Sequence, residues 1–247
     1  MSGLHERAVQ VLADEARGAG EEDPSVHLTS HLATVQVRMS PRLDLPIAIA
    51  CWLIGFAWVG FAGSWIPLAV LASLAAVRLV LGDPVTRRLL RPHAGALALG
   101  AAGGVVMIGA TYGLYRALVP LFPALPGATR GLYGVLNSAG YRPLGLGALV
   151  VVVSFCEEVT WRGRPLADAA DDMGRHPLHG RALARVAMVA LLYGGASLAS
   201  GSLLLGALAA GCGFTWGLLR VAGRSLWPAV ITHAAWDLTV LVAWPLA

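Results

Sequence analysis

The stretch GLGALVVVVSFCEEVTWRG, residues 145–163, decides how this chain is read. It opens with an apolar run, GLGALVVVV, of the kind a helix needs to cross a bilayer. Glu157 and Glu158 then follow side by side, with Arg162 one helical turn further on. A carboxylate or guanidinium at mid-membrane costs about 2.5 to 3.5 kcal/mol, so two acids and a base at this depth mark a site.

Composition agrees that lipid is the surrounding solvent. Hydrophobic residues make up 57% of the 247, charged residues 13%, and the mean hydropathy is +0.68. Such a chain cannot supply the solvated face of a soluble globular domain. From residue 45 onward it divides into apolar runs near 45–62, 65–82, 94–119, 144–160, 183–199, 201–222 and 226–246. About 20 helical residues cross the roughly 30 Å hydrocarbon core. The runs lack the alternation of barrel strands, and lipid satisfies no backbone group, so helices are the spanning form. The expected fold is all-α: a polytopic transmembrane helical bundle of about seven spans with a short polar N-terminal tail. The expected domains are a cytoplasmic tail over 1–44 and a transmembrane helical domain over 45–247.

The tail, polar and without an apolar core segment, is neither a signal peptide nor a transit peptide. Residues 4–16 suit a short amphipathic helix that EEDP breaks. His27 and His31 stand four apart, with no cysteine or acid to complete a metal-ligand set. Cys51, Cys156 and Cys212 sit singly in apolar segments and read as small core residues. All eighteen basic residues are arginine, which reads as the base composition of a GC-rich bacterium. The formal net charge of +4 is therefore no nucleic-acid footprint.

Arginine placement gives an orientation. Arg38, Arg42, Arg87, Arg88, Arg91, Arg162, Arg164, Arg175, Arg181, Arg185, Arg220 and Arg224 fall at one set of span ends, and only Arg116, Arg130 and Arg142 at the other. The positive-inside rule then puts the N-terminus in the cytoplasm and the C-terminus outside, in a bacterial inner membrane. The acid pair lies toward the cytoplasmic half, and a site there is expected to be reached from the cytosol. Residues 120–143, rich in Pro and Gly, are expected along the outer interface with Tyr133 and Tyr141 at headgroup depth. Trp161, Trp227 and Trp244 near span ends fit an aromatic belt.

Few ionisable groups remain inside the spans. Arg78 is close enough to the end of span two to snorkel. Glu158 and Arg162 are i and i+4, hence on one helix face, while Glu157 is turned by about 100°. One carboxylate can therefore pair with Arg162 while the other faces a cavity. His233 and Asp237, in ITHAAWDL, share a face of the last span by the same spacing. Two polar faces on separate helices suggest one polar pocket between them. A buried ion-pair network that only fastens the helices would use the same residues.

These residues also carry a resemblance. EEVTWR resembles the EExxxR motif of the CPBP family, the CAAX proteases and bacteriocin-processing membrane proteins also called the ABI family. GRSLWPAVITHAAWD resembles its last motif, HxxxN or HxxxD, approached through G-S-L-W-P. The likeness covers about residues 144–240. It implies an all-α membrane fold and a glutamate-dependent intramembrane endopeptidase acting on a membrane-associated protein or peptide, with the lipid bilayer as its other partner. Carried over, Glu157 is the general base that activates water, Glu158 and Arg162 orient it, and His233 and Asp237 line the oxyanion side. Adjacent carboxylates in a low-dielectric pocket cannot comfortably both ionise, which suits one of them to base work.

The chain departs from the family between the two motifs. Where members carry FxxxH, this sequence reads LLYGGASLAS, with Tyr193 at the Phe position and Ser197 at the His position. A zinc site of one Glu and two His would lack a ligand, so zinc is disfavoured and no cofactor is expected. Asp237 stands where many members have Asn, and an ionised Asp accepts but cannot donate to an oxyanion. The resemblance therefore leaves two alternatives beside the protease: a pseudoprotease that binds a membrane segment or peptide tail without cutting it, and a proton-coupled transporter, since embedded carboxylates serve there too.

Overall fold

The structure is a computed structural model that describes residues 41–137, 140–167 and 180–246. The expected tail helix with His27 and His31, and the loop histidines His176 and His179, lie outside the described residues.

Every regular element among the described residues is helical. In chain order the α-helices are α1 (Pro41–Ala62), α2 (Ile66–Gly82), α3 (Pro84–Leu89), α4 (Ala94–Leu118), α5 (Leu125–Asn137), α6 (Pro143–Glu157), α7 (Gly180–Ser197), α8 (Leu203–Gly223) and α9 (Trp227–Asp237). Local chemistry sets their starts. Proline stands at the first or second position of α2, α3, α6 and α9, where its missing N–H goes unneeded. Asp83, His93 and Ser202 accept first-turn N–H groups of α3, α4 and α8, as helix caps do.

Five helices are long and apolar enough to cross a membrane: Asp44–Ala62, Ala94–Leu118, Pro143–Arg162, Gly180–Ser200 and Leu203–Gly223. Ile66–Gly82 and Trp227–Ala243 are shorter apolar helices; the 17 residues of α2 reach about 26 Å. The seven expected runs thus each correspond to an apolar helix, and the molecule is an integral membrane helical bundle. α1 begins at Pro41, so the last residues assigned to the tail already belong to the first helix.

Small residues bring the helices close, which is how packing is gained where lipid is as apolar as leucine. A Cβ added at Gly194 of α7 would lie 2.7 Å from the Gly206 carbonyl oxygen of α8. α9 presses into α4 in the same way: a Cβ at Gly103 would lie 2.8 Å from Thr232 Oγ1, and that hydroxyl donates to the Gly100 carbonyl at 2.9 Å. α9 also packs against α6 and α8, so the two motif-bearing helices are neighbours.

The expectations for Trp161, Arg162 and Arg220 change, and other groups near the span ends find partners. Trp161 is 2% exposed and packs on Tyr193 with ring centroids 5.6 Å apart; it belongs to the core, whereas Trp244 is exposed. Arg162 and Arg220, counted above with the flanking arginines, are both fully buried and so contribute nothing to a surface charge bias. Tyr133 and Tyr141 are tied into the bundle: the Tyr133 hydroxyl donates to the Val240 carbonyl at 2.7 Å, and the Trp65 N–H donates to the Tyr141 hydroxyl at 3.2 Å. Arg78 pairs with Asp44 at 2.7 Å, joining the start of α1 to the end of α2.

Candidate active site

Both motif helices change pitch where the functional side chains cluster. α6 passes at Glu158 into a π-helical turn, Glu158–Arg162, and α9 does the same after Asp237, over Leu238–Ala243. A π-turn inserts an extra residue into the helical repeat and is common at functional sites. All five residues of the first turn are buried. Its last carbonyl, that of Arg162, accepts from Arg220 Nε of α8 at 3.0 Å.

The five residues proposed as catalytic come together. Glu158 Oε1 lies 2.8 Å from His233 Nδ1 and 3.2 Å from Arg162 Nη1, so one carboxylate oxygen bridges the imidazole and the guanidinium. That guanidinium contact lies off the hydrogen-bond axis, since Nη1 has no aligned acceptor, and the pair is held by charge. The other support is aromatic: the guanidinium carbon stands 4.5 Å from the Tyr193 ring centroid and 5.5 Å from that of Trp216, a cation–π arrangement worth most when desolvated.

On the opposite edge of the imidazole, Nε2 is 3.4 Å from Glu157 Oε2 and 3.2 Å from Asp237 Oδ2. Ser154 Oγ is 2.7 Å from the same Asp237 oxygen and 2.8 Å from the Val150 carbonyl, and Tyr193 lines the same cavity as Glu157. Trp216 lies flat on His233, centroids 3.4 Å apart and planes 19° apart.

The two glutamates differ in access. Glu158 is fully buried behind His233, whereas Glu157 lines a cavity of about 80 Å³ together with Tyr193, Ser197, Trp216, His233 and Asp237. The lining continues along α6 through Val153, Val150 and Leu146 to Leu132 and Leu136 of α5 and Trp65. It therefore extends toward the α6 N-terminus, away from Arg162.

Ser197 faces the cavity wall but spends its hydroxyl proton on the Tyr193 carbonyl at 2.9 Å, one turn back on α7. Zinc does not fit these side chains: both nitrogens of His233 face carboxylates, and no three of the described His, Cys, Asp and Glu residues form a metal-holding group.

Sequence reasoning missed Ser154, Gly213, Trp216 and Arg220. Arg220 carried a signal, a charge at the end of the apolar run of α8. Gly213 and Trp216 belong to no motif, and only the packing reveals them: a Cβ at Gly213 would lie 2.6 Å from Arg162 Nη2.

Residues 140–239 match the family model Rce1-like, described as Type II CAAX prenyl endopeptidase Rce1-like. The match takes in α6 with its π-turn, α7, α8 and α9, less than half of the chain. Over this segment the chain is similar to the CAAX-type proteases, the resemblance that the EEVTWR and ITHAAWD motifs carry. The family is one of membrane proteases. No match was found among curated proteins or among solved structures.

Proposed function

We propose that this protein is an intramembrane endopeptidase of the CPBP/CAAX-protease type, which hydrolyses a peptide bond in a membrane-associated protein with water activated by Glu157. One observation carries the reading: of the two adjacent glutamates, Glu157 meets the cavity, while Glu158 is sealed against Arg162 and His233. A general base must have access to the water it deprotonates, and a positioning acid need not.

In the reaction the water oxygen bonds to the scissile carbonyl carbon as its proton passes to Glu157. The carbon–nitrogen bond then breaks, and Glu157 returns that proton to the leaving amine nitrogen. One peptide and one water give one carboxyl and one amino product. Glu158 and Arg162 hold the His233 ring in place, and His233 with Asp237 keeps Glu157 and the water in register. The largely aliphatic and aromatic cavity wall suits an apolar substrate segment. The proposed setting is a bacterial inner membrane with the N-terminus in the cytoplasm, and no cofactor enters the chemistry.

A second reading has an observation of its own. With Ser197 bonded to its own helix, the position that holds histidine in the family offers no acid or base, which favours a pseudoprotease that binds without cutting. The test is to incubate the purified protein in liposomes with a library of lipid-anchored peptides, alongside Glu157→Ala. Cleavage that falls by about 10²- to 10⁴-fold in the variant, the usual worth of a general base, supports the protease. Capture without cleavage by the parent protein supports the second reading.

A further inference from the structure

Three carboxyl groups surround one imidazole. Glu158 Oε1 meets the Nδ1 edge of His233 at 2.8 Å, while Glu157 Oε2 and Asp237 Oδ2 both approach Nε2, at 3.4 and 3.2 Å. Nε2 carries at most one hydrogen, so it can satisfy one of these two acids and not both. The three also differ in access. Glu157 and Asp237 line the cavity, and the exposed fraction of the side chain is 13% for Asp237, 6% for Glu157 and 0% for Glu158.

Two neighbouring carboxyl groups in a buried pocket do not both ionise; they titrate as a pair that holds one proton. Arg162 meets Glu158 on the far edge of the ring. The remaining titratable groups of the cavity wall, Tyr193 and Cys212, bring no positive charge.

Ser154 indicates which acid holds that proton. Its Oγ lies 2.7 Å from Asp237 Oδ2 and 2.8 Å from the Val150 carbonyl oxygen. A hydroxyl has one hydrogen and two lone pairs. With its hydrogen on the Val150 carbonyl, Ser154 accepts from a protonated Asp237; turned the other way, it donates to the anion. Asp237 therefore keeps this partner whether it holds a proton or has given it up, which a group that passes a proton back and forth requires.

We propose that Glu157 and Asp237 share a single proton and divide the acid–base work, with ionised Glu157 as the base for water and protonated Asp237 as the acid for the scissile carbonyl oxygen. The proposal rests on the proteolytic reading above. The cavity, about 80 Å³, has room for the attacking water. As the water oxygen bonds to the carbonyl carbon, its proton passes to Glu157, and Asp237 gives its own proton to the former carbonyl oxygen. The result is a neutral gem-diol. On collapse that oxygen returns a proton to Asp237, the carbon–nitrogen bond breaks, and Glu157 protonates the leaving nitrogen, so both acids end as they began. The two departures from the family pattern then belong together: the histidine missing at Ser197 is offset by the carboxyl group present at Asp237.

Two measurements on the full chain test it, each comparing the parent with Asp237→Asn and Glu157→Gln. Asparagine keeps the size of the side chain and can donate a hydrogen bond, but it cannot give up a proton. On the best-cleaved peptide of the library, in liposomes, Asp237→Asn should lower kcat by about 10²- to 10⁴-fold, the usual worth of a general acid, with KM unchanged. If a hydrogen bond to the oxyanion were all that is needed, asparagine would serve at least as well as aspartate. The second measurement is infrared spectroscopy at neutral pH in an ester-free detergent, where a neutral carboxylic acid has a carbonyl stretch apart from that of a carboxylate and shifts in heavy water. The parent should show this band, and both variants should lack it, since each leaves an acid with no second acid to share with.

If Glu157→Gln is inactive while Asp237→Asn keeps the parent kcat, or if the parent lacks the band or either variant retains it, the shared proton is refuted and the protease reading stands. If the parent cleaves nothing in the library, or Glu157→Gln cleaves like the parent, the proteolytic reading falls and the proposal with it. Should Asp237→Asn fail to fold, the band in the parent and its loss in Glu157→Gln decide.

Discussion

Arg162 passes so close beneath Gly213 that a methyl group on that glycine would lie 2.6 Å from Nη2 and 3.0 Å from Tyr193 Cδ1. The guanidinium therefore sits where it does only because α8 presents no side chain there. Gly213→Ala should cost about 1–3 kcal/mol, as overpacking does, and should displace Arg162 from Glu158, with loss of cleavage. Gly211→Ala, two residues away with nothing within 4 Å of its added Cβ, should be neutral or stabilising by up to about 1 kcal/mol through helix propensity. Thermal unfolding of both variants in detergent checks the contrast; equal effects would contradict it.

Glu158 and Arg162 are each fully buried, so removing either partner leaves a charge without compensation. Arg162→Met alone and Glu158→Gln alone should each destabilise the protein by about 3–5 kcal/mol. The double variant should lose less than the sum of the two. A double-mutant cycle on unfolding free energies reads the coupling, and simple additivity would mean that the pair does not interact.

Asp83, in the loop after α2, offers a pH-dependent handle outside the spans. Burial works to raise its pKa, but hydrogen bonds from Thr86 and Val85 and the nearby Arg164 outweigh this and hold the carboxyl below its ordinary value. Its stabilising contribution is thus fully present above the ordinary carboxylate pKa of about 3.9 and is lost as pH falls through the lower folded-state value. Asp83→Ala should lower stability by about 0.5–2 kcal/mol near neutral pH, as loss of a cap does. The difference in Tm between parent and variant should shrink as the medium is acidified from about pH 6 to about pH 3.

Restoring the family histidine is informative because Ser197 lines the same cavity as Glu157. Ser197→His should raise cleavage by about 10²-fold, the lower end of what a positioned acid or base supplies. Kinetics on the same lipid-anchored peptide measure it; a fall instead would show that the Ser197 hydroxyl has a role of its own.

The sequence made the helices and the grouping of Glu157, Glu158, Arg162, His233 and Asp237 legible, because apolar run length and i, i+4 spacing are local properties. It also marked Ser197 as the departure. The π-turn at Glu158–Arg162 was not legible, since one extra residue in a turn leaves a short hydrophobic pattern unchanged. Trp161 and Arg220 misled for a related reason: an aromatic or a charge near a span end looks the same whether it meets headgroups or packs inward. Gly213 and Trp216 act through the face of α8 that they turn to α6 and α9, and nothing within α8 itself specifies that face.

The cavity wall runs along α6 from Leu146 to Glu157, about 16 Å at 1.5 Å per residue. An extended chain covers that distance in about five residues at 3.3 Å each. A polypeptide threaded in past Leu146 would thus need about five residues inside before its leading end met the carboxylate, so under the proteolytic reading the hollow is a depth gauge and shorter stubs would go uncut.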